Sequence, residues 1–316
     1  MYKKIVVILL VAAAALSGCS KKKTPTGPGG SGTLPTADRP LVINHLNTDL
    51  GLVPAQWITA AKDSFHITYG HTSHGSQVVT GMDVLLDSFP AYEFFNDYNY
   101  YRYGPGNPLA PATALSFWDY TPGGDLGNPD RVAWSCLTDT LLGNLAGQFA
   151  VYPHHRNLVM WSWCGQVSSA TAADIDTYLV RMGQLEARYP AAVFVYMTGH
   201  LDGSGSTGNL NLRNEQIRSH CRNNRKVLFD FADIESFDPD CLTNYMALGC
   251  NDNCDYDSSG TSANWAASWM ARNPNHHLAR LANACGSCAH SQQLNCVLKA
   301  RAFWWMMARL AGWTGP

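Results

Sequence analysis

Four apolar runs of strand length, over residues 65–70, 157–164, 192–199 and 226–233, constrain this chain more than any other feature. Each is rich in Val, Phe, Tyr or Trp, and each ends in small or polar residues. A run that is apolar on both faces has to be covered on both faces, which is the condition of a strand inside a parallel sheet. Helix signals separate the later runs. Thr171-x-x-Asp174 has the form of a capping box, and Ile175, Tyr178, Leu179, Met182 and Leu185 make one apolar stripe ahead of Pro190. Residues 212–221 set Leu212 and Ile217 against a polar face and predict a second helix. Strand, helix, strand, helix, strand is the order of an α/β fold. A terminal helix is expected over residues 294–310, with Phe303, Trp304, Met306, Met307 and Leu310 as core. No internal repeat is visible.

The two ends read differently from the middle. Lys3 and Lys4, an apolar run over residues 5–16 and then Leu16-Ser17-Gly18-Cys19 have the order of an export signal ending in a bacterial lipobox. The apolar run is too short to span a bilayer. The expectation is a signal peptide over residues 1–18, a lipidated Cys19 and a flexible Lys-, Thr-, Pro- and Gly-rich tether up to residue 40. Residues 41–316 then form one domain, long enough for a full core. Ser20 is not the aspartate that retains lipoproteins at the inner membrane, so the outer membrane or cell surface is expected.

The 22 basic and 24 acidic residues form no basic stripe, which argues against nucleic acid as a partner. Ten Trp and fourteen Tyr on a weakly charged chain suit a protein that handles sugars or other neutral polymers. Beyond Cys19 stand nine further cysteines, at 136, 164, 221, 241, 250, 254, 285, 288 and 296. In an oxidising compartment most are expected in disulfides, which makes the carboxyl-terminal part disulfide-rich. Nine is odd, and Cys164 in its apolar run is the expected buried free thiol. Cys250-x3-Cys254 with Cys285-x2-Cys288 could instead hold a structural zinc. Cys285-Gly-Ser-Cys288-Ala289 lacks the histidine that haem attachment requires.

A long excursion over residues 91–150 follows the first strand. Its aromatics, at 92–103 and in Phe117-Trp-Asp-Tyr120, read either as a stacking wall beside a cleft or as loops packed over the sheet by their own rings.

Chemistry collects at the strand ends, where open parallel sheets bind their ligands. The first run leads into His71-Thr72-Ser73-His74-Gly75, a tight turn that exposes a serine hydroxyl next to backbone N–H groups. The second ends at Gly165-Gln166, the third at Gly199-His200-Leu-Asp202, and the fourth carries Asp230 and Asp233. His290 stands just before the terminal helix. A serine, a histidine, a carboxylate and oxyanion donors in one cleft are the complement for acyl transfer.

On these residues the chain resembles the SGNH (GDSL-like) hydrolases, and residues 65–313 follow their order of elements. The resemblance implies a three-layer, flavodoxin-like α/β/α fold, with the long aromatic excursion as an insertion. It also implies that Ser73 is the nucleophile, that Gly165 completes the oxyanion hole and that His290 is the general base. Gln166, His74 and His200 then line the oxyanion and substrate side, with His200 in place of the family's asparagine. Ser73 lies in His-Thr-Ser-His-Gly instead of Gly-Asp-Ser, and Ser287 stands where the family has its aspartate. The acid is therefore expected from Asp233 or Asp230, or is replaced by a backbone carbonyl. The implied activity is extracytoplasmic hydrolysis of an acylated carbohydrate or other small ester, without a cofactor. Two other classes stay open. His71, His74, His200, His290 and Asp233 could form a metal site, and the scaffold could be a non-catalytic surface protein.

Overall fold

The computed structural model describes residues 40–144 and 156–316. The expected signal, lipobox and tether up to residue 39 lie outside the described residues.

Seven strands form one sheet. They are β1 (Leu41–Ile43), β2 (His66–Gly70), β3 (Phe94–Phe95), β4 (Leu115–Asp119), β5 (Leu158–Trp161), β6 (Val193–Met197) and β7 (Val227–Phe229). Their order is β1-β7-β6-β5-β2-β4-β3, and every pairing is parallel. The inner five, β4-β2-β5-β6-β7, run in the order 2-1-3-4-5 of a flavodoxin-like sheet. In that order the chain leaves β2 toward one edge and returns on its other side as β5. The crevice between those two strand ends is the switch point where ligands bind in doubly wound sheets.

Helices cover both faces. On one, α1 (Ala55–Ser64), α2 (Ser76–Ser88), α8 (Trp265–Arg272) and α9 (His277–Ala284) pack around the terminal helix α10 (Gln293–Leu310). On the other, α5 (Ala172–Arg188) lies between α4 (Ala133–Asn144) and α6 (Asn209–Asn223). The capping box at Thr171 is formed: its hydroxyl accepts the Asp174 N–H and the Asp174 carboxylate accepts the Thr171 N–H. The predicted stripe of α5 is buried throughout. α10 is buried on nearly every side from Leu294 to Ala308, its polar Asn295, Lys299 and Arg301 included. Its contact with α2 is close because Gly81 has no side chain; a Cβ there would lie 2.0 Å from the Cys296 carbonyl oxygen. Gly81→Ala is therefore expected to force the two helices apart and cost about 1–3 kcal/mol, the range for overpacking. A chemical-denaturation midpoint unchanged from wild type would show that the helices have room to move.

Three expectations need correction. Residues 91–144 are a loop insertion only in part. They hold β3, α3 (Tyr98–Tyr103), the interior strand β4 and α4. The aromatics there mostly pack: Trp118 is fully buried, Tyr101 lies against it, and the Arg156 guanidinium sits 4.0 Å above the Trp118 ring. Nor is the carboxyl-terminal part disulfide-rich. Among the described residues the one disulfide is Cys288–Cys296, while Cys250, Cys254 and Cys285 are buried thiols. That disulfide also removes Cys288 from any zinc site built on four thiolates. No helix among the described residues is long and apolar enough to cross a membrane.

Candidate active site

Ser73 and Cys164 occupy equivalent places on neighbouring strands. Gly70 of β2 is in register with Trp161 of β5, and Ser73 and Cys164 are the third residues past those two strand ends. The two tips leave the sheet side by side, and Ser73 Oγ comes 3.4 Å from Cys164 Sγ. Gly75 keeps the β2 tip tight, since a Cβ there would strike Ser162 and His71. Ser76 begins α2, and its hydroxyl donates to the Ser73 carbonyl at 2.6 Å, so it closes the turn and does not face the cleft.

His290 reaches the same point from 217 residues away. Its Nε2 lies 2.9 Å from Ser73 Oγ. The residue has φ +58, a left-handed conformation that a side chain rarely adopts unless its surroundings impose it. Those surroundings can be named. The Cys288–Cys296 disulfide ties the turn to the start of α10, and Gln77 Nε2 donates to the Ala289 carbonyl at 2.5 Å. The ring also stacks on His74 at 4.5 Å between centroids.

His74 is the centre of the cluster. Its Nδ1 lies 3.1 Å from Cys164 Sγ and its Nε2 lies 2.9 Å from the Asp252 carboxylate. Burial opposes a charged ring, but the bonds to Asp252 and Cys164 and the charges of Cys164 and Glu235 outweigh it and raise the pKa to about 9. The same His74 contact is the largest influence on the thiol. With the bonds from Ser73 and Thr72 it prevails over burial and lowers the Cys164 pKa to about 6. Asp252 is itself held below its ordinary value, because its bond to His74 and the nearby imidazoles offset the effect of burial.

His200 stacks face to face on His74, with 3.7 Å between centroids and 2° between planes. Its Nδ1 is 2.8 Å from the Leu201 carbonyl, so that nitrogen carries the proton. Burial holds its pKa below the ordinary histidine value and so favours the neutral ring. Nε2 is then a lone pair, buried and without a hydrogen-bond partner among the described residues. In that tautomer Nε2 accepts a hydrogen bond and does not donate one.

Two more expected residues serve other ends. Asp233 lies in the first turn of α7 (Phe231–Glu235), where its carboxylate accepts the His45 N–H at 2.9 Å and also bonds that ring. Asp230 pairs with Arg218 and Thr198. Both follow β7, three strands from β2, a separation of roughly 14 Å at the usual strand spacing. Neither bonds His290, and among the described residues no carboxylate does. Gln166 is also engaged: its amide oxygen accepts the Cys164 N–H at 2.7 Å and its nitrogen donates to Asp125 at 3.0 Å. It positions the β5 tip. Gly165 beside it has φ +75, a backbone shape suited to glycine.

His71 bonds Asp119 at 2.7 Å and stands apart from the stack formed by His74. Among the described residues, the imidazole and carboxylate groups that lie close enough to share a metal are His74, His200 and Asp252. They do not fit one. Ring nitrogens bind metals in the plane of the ring, and two parallel rings 3.7 Å apart cannot both aim at one ion about 2.0–2.1 Å away. Asp252 and the cluster's thiol partner Cys164 are the site residues that sequence reasoning left without a role.

No family model, no curated protein and no solved structure matches this chain.

Proposed function

We propose that this protein is an ester hydrolase on a divergent SGNH-like scaffold, with Ser73 as nucleophile and His290 as general base. The observation that carries the reading is the 2.9 Å contact between His290 Nε2 and Ser73 Oγ at the switch point of the sheet. That distance lies within the reach a base needs to take the hydroxyl proton. In the reaction the serine oxygen attacks the acyl carbon as His290 takes its proton. His290 then returns the proton to the departing alcohol, and water repeats the sequence to release the acid. The Ser73 and Gly165 N–H groups are the donors assigned to the oxyanion. With no carboxylate on His290 among the described residues, the ring is held in place by the disulfide and by the Gln77 bond to the Ala289 carbonyl.

The substrate we propose is an acylated carbohydrate outside the cell, in keeping with the export signal and lipobox expected over residues 1–19. Tyr120 supports a sugar at the cleft, because it is 55% exposed and lies edge-on to the His71 ring beside the Ser73 turn. The test is acetate release from acetylated polysaccharides, set against p-nitrophenyl esters of increasing chain length. Acetate release with a preference for short acyl chains is expected. A preference for long chains with no acetate from any glycan would overturn the substrate, and inactivity on every ester would leave the non-catalytic reading.

A further inference from the structure

We propose that Cys164 is a second nucleophile of this cleft, able to carry an acyl group, with His74 as its acid–base partner and Asp252 as the carboxylate that orients His74. The inference rests on the reading of the cleft as an acyl-transfer site. Its own basis is a separate chain of contacts: Sγ to Nδ1 at 3.1 Å, then Nε2 to the carboxylate at 2.9 Å. Nucleophile, base and orienting acid in that order are the parts that acyl transfer needs, on whatever fold they occur. Ser73–His290 has no such third member, so the more complete relay in the cleft belongs to the cysteine.

Several features place the thiol where an acyl carbon would lie. Cys164 is half-buried and free of any disulfide. Its backbone is fixed by Gln166. Its Sγ is 3.4 Å from Ser73 Oγ, so a carbonyl held in attacking distance of one nucleophile is within reach of the other. One residue on, the unpartnered His200 Nε2 lies 3.8 Å from where a Gly165 side chain would begin. That buried lone pair asks for a hydroxyl or N–H on the ligand. The fitting ligand is a compact ester or thioester with a hydrogen-bond donor near its acyl carbon.

The step balances within the site. The Cys164 thiolate attacks the acyl carbon, an S–C bond forms, and the bond to the leaving oxygen or sulfur breaks. The leaving group takes the proton of the His74 imidazolium. Water, deprotonated by the now neutral His74, then attacks the thioester. The C–S bond breaks, the acid leaves, and thiolate and imidazolium are restored.

The ionic form of the pair has a defined window. The thiol is ionised above about pH 6, and the imidazole keeps its proton below about pH 9. The charged and titratable groups around them are His74 and His290 from the two flanking turns, His200 and Glu235 behind His74, and Asp252. Asp125 is one bond removed through Gln166.

The experiment uses the full chain carrying Ser73→Ala, so that only the thiol can react. With p-nitrophenyl acetate, an early release of one p-nitrophenolate per chain is expected, with an acetyl group on the peptide that contains Cys164. Both should vanish in Ser73→Ala/Cys164→Ala. In parallel, alkylation of Cys164 by iodoacetamide in the chain with Ser73 intact should show its pH inflection near 6. In His74→Ala, again with Ser73 intact, it should move up by about two units toward an ordinary thiol value. His74→Asn serves if the alanine variant fails to fold. Absence of the burst together with an inflection near the ordinary thiol value would overturn the proposal, as would acetylation confined to other residues. The two readings fail separately. Loss of hydrolysis in Ser73→Ala with an inert Cys164 sinks only this one. Full hydrolysis in Ser73→Ala with none in Cys164→Ala sinks only the assignment of Ser73.

Discussion

Ser73→Ala is expected to lower kcat for ester hydrolysis by about 10,000-fold or more while leaving the fold intact. The fold should survive because the Ser73 hydroxyl contributes no bond within the turn; its contacts are His290 and Cys164 across the cleft. The turn is closed instead by Ser76, whose hydroxyl donates to the Ser73 carbonyl. Ser76→Ala is thus the internal control: it should lower stability by roughly 1 kcal/mol, the usual worth of one such hydrogen bond, and keep most of the activity. His290→Ala should be about as severe as Ser73→Ala, and the double variant no worse than either, since a nucleophile and its base act as a unit. Steady-state kinetics with p-nitrophenyl acetate checks all four proteins. Wild-type rates in Ser73→Ala, or multiplicative losses in the double variant, would remove Ser73 from the chemistry. Any slow turnover left in Ser73→Ala should disappear on adding Cys164→Ala.

How much of this could be seen in the sequence follows from the range of the interactions. β2, β5, β6 and β7 are interior strands apolar on both faces, and their runs announced them. β4 is equally interior, yet Leu115–Asp119 is a five-residue strand set among Gly, Pro and Asn, and its aromatics merged with the surrounding ones. β1 and β3 are edge strands of three and two residues, too short to show a period. In the site, Ser73 and His290 were legible because each stands at a recognisable place, after the first core strand and before the last helix. The relay from Cys164 to Asp252 was not. It joins residues 90 and then 178 positions apart, and only the register of β2 against β5 brings the first pair together. Asp252 also lies between Cys250 and Cys254, whose spacing points to a structural zinc and not to the carboxylate between them. Asp233 misled for the opposite reason. Its position at a strand end was right, but a strand end three places away in the sheet cannot be judged from chain order.

Lys299→Met is expected to destabilise the protein by about 3–5 kcal/mol, the penalty for removing one partner of a buried ion pair. Lys299 Nζ lies 2.5 Å from Glu235 Oε1, and neither side chain has any exposed surface. The ammonium also bonds the Gln77 amide oxygen and sits 3.7 Å above the Phe231 ring. Methionine fills the stem's volume but leaves the Glu235 charge buried and unanswered. Lys299→Met/Glu235→Gln should recover most of the loss, because the amide oxygen can still accept the Leu201 N–H that Glu235 now holds at 2.8 Å. Denaturant unfolding of the wild type, both single variants and the double gives the coupling directly. A loss below about 1 kcal/mol in Lys299→Met would mean that the pair is wet or loose. The pair matters to the cleft as well as to the core. Through Gln77 it holds the carbonyl of Ala289, next to His290, and through Glu235 it holds Leu201, whose carbonyl fixes the His200 ring. One buried cation on α10 thus sets two of the three stacked imidazoles. The double variant should therefore regain stability ahead of activity, since an amide restores charge balance without restoring the Lys299 bond that orients Gln77.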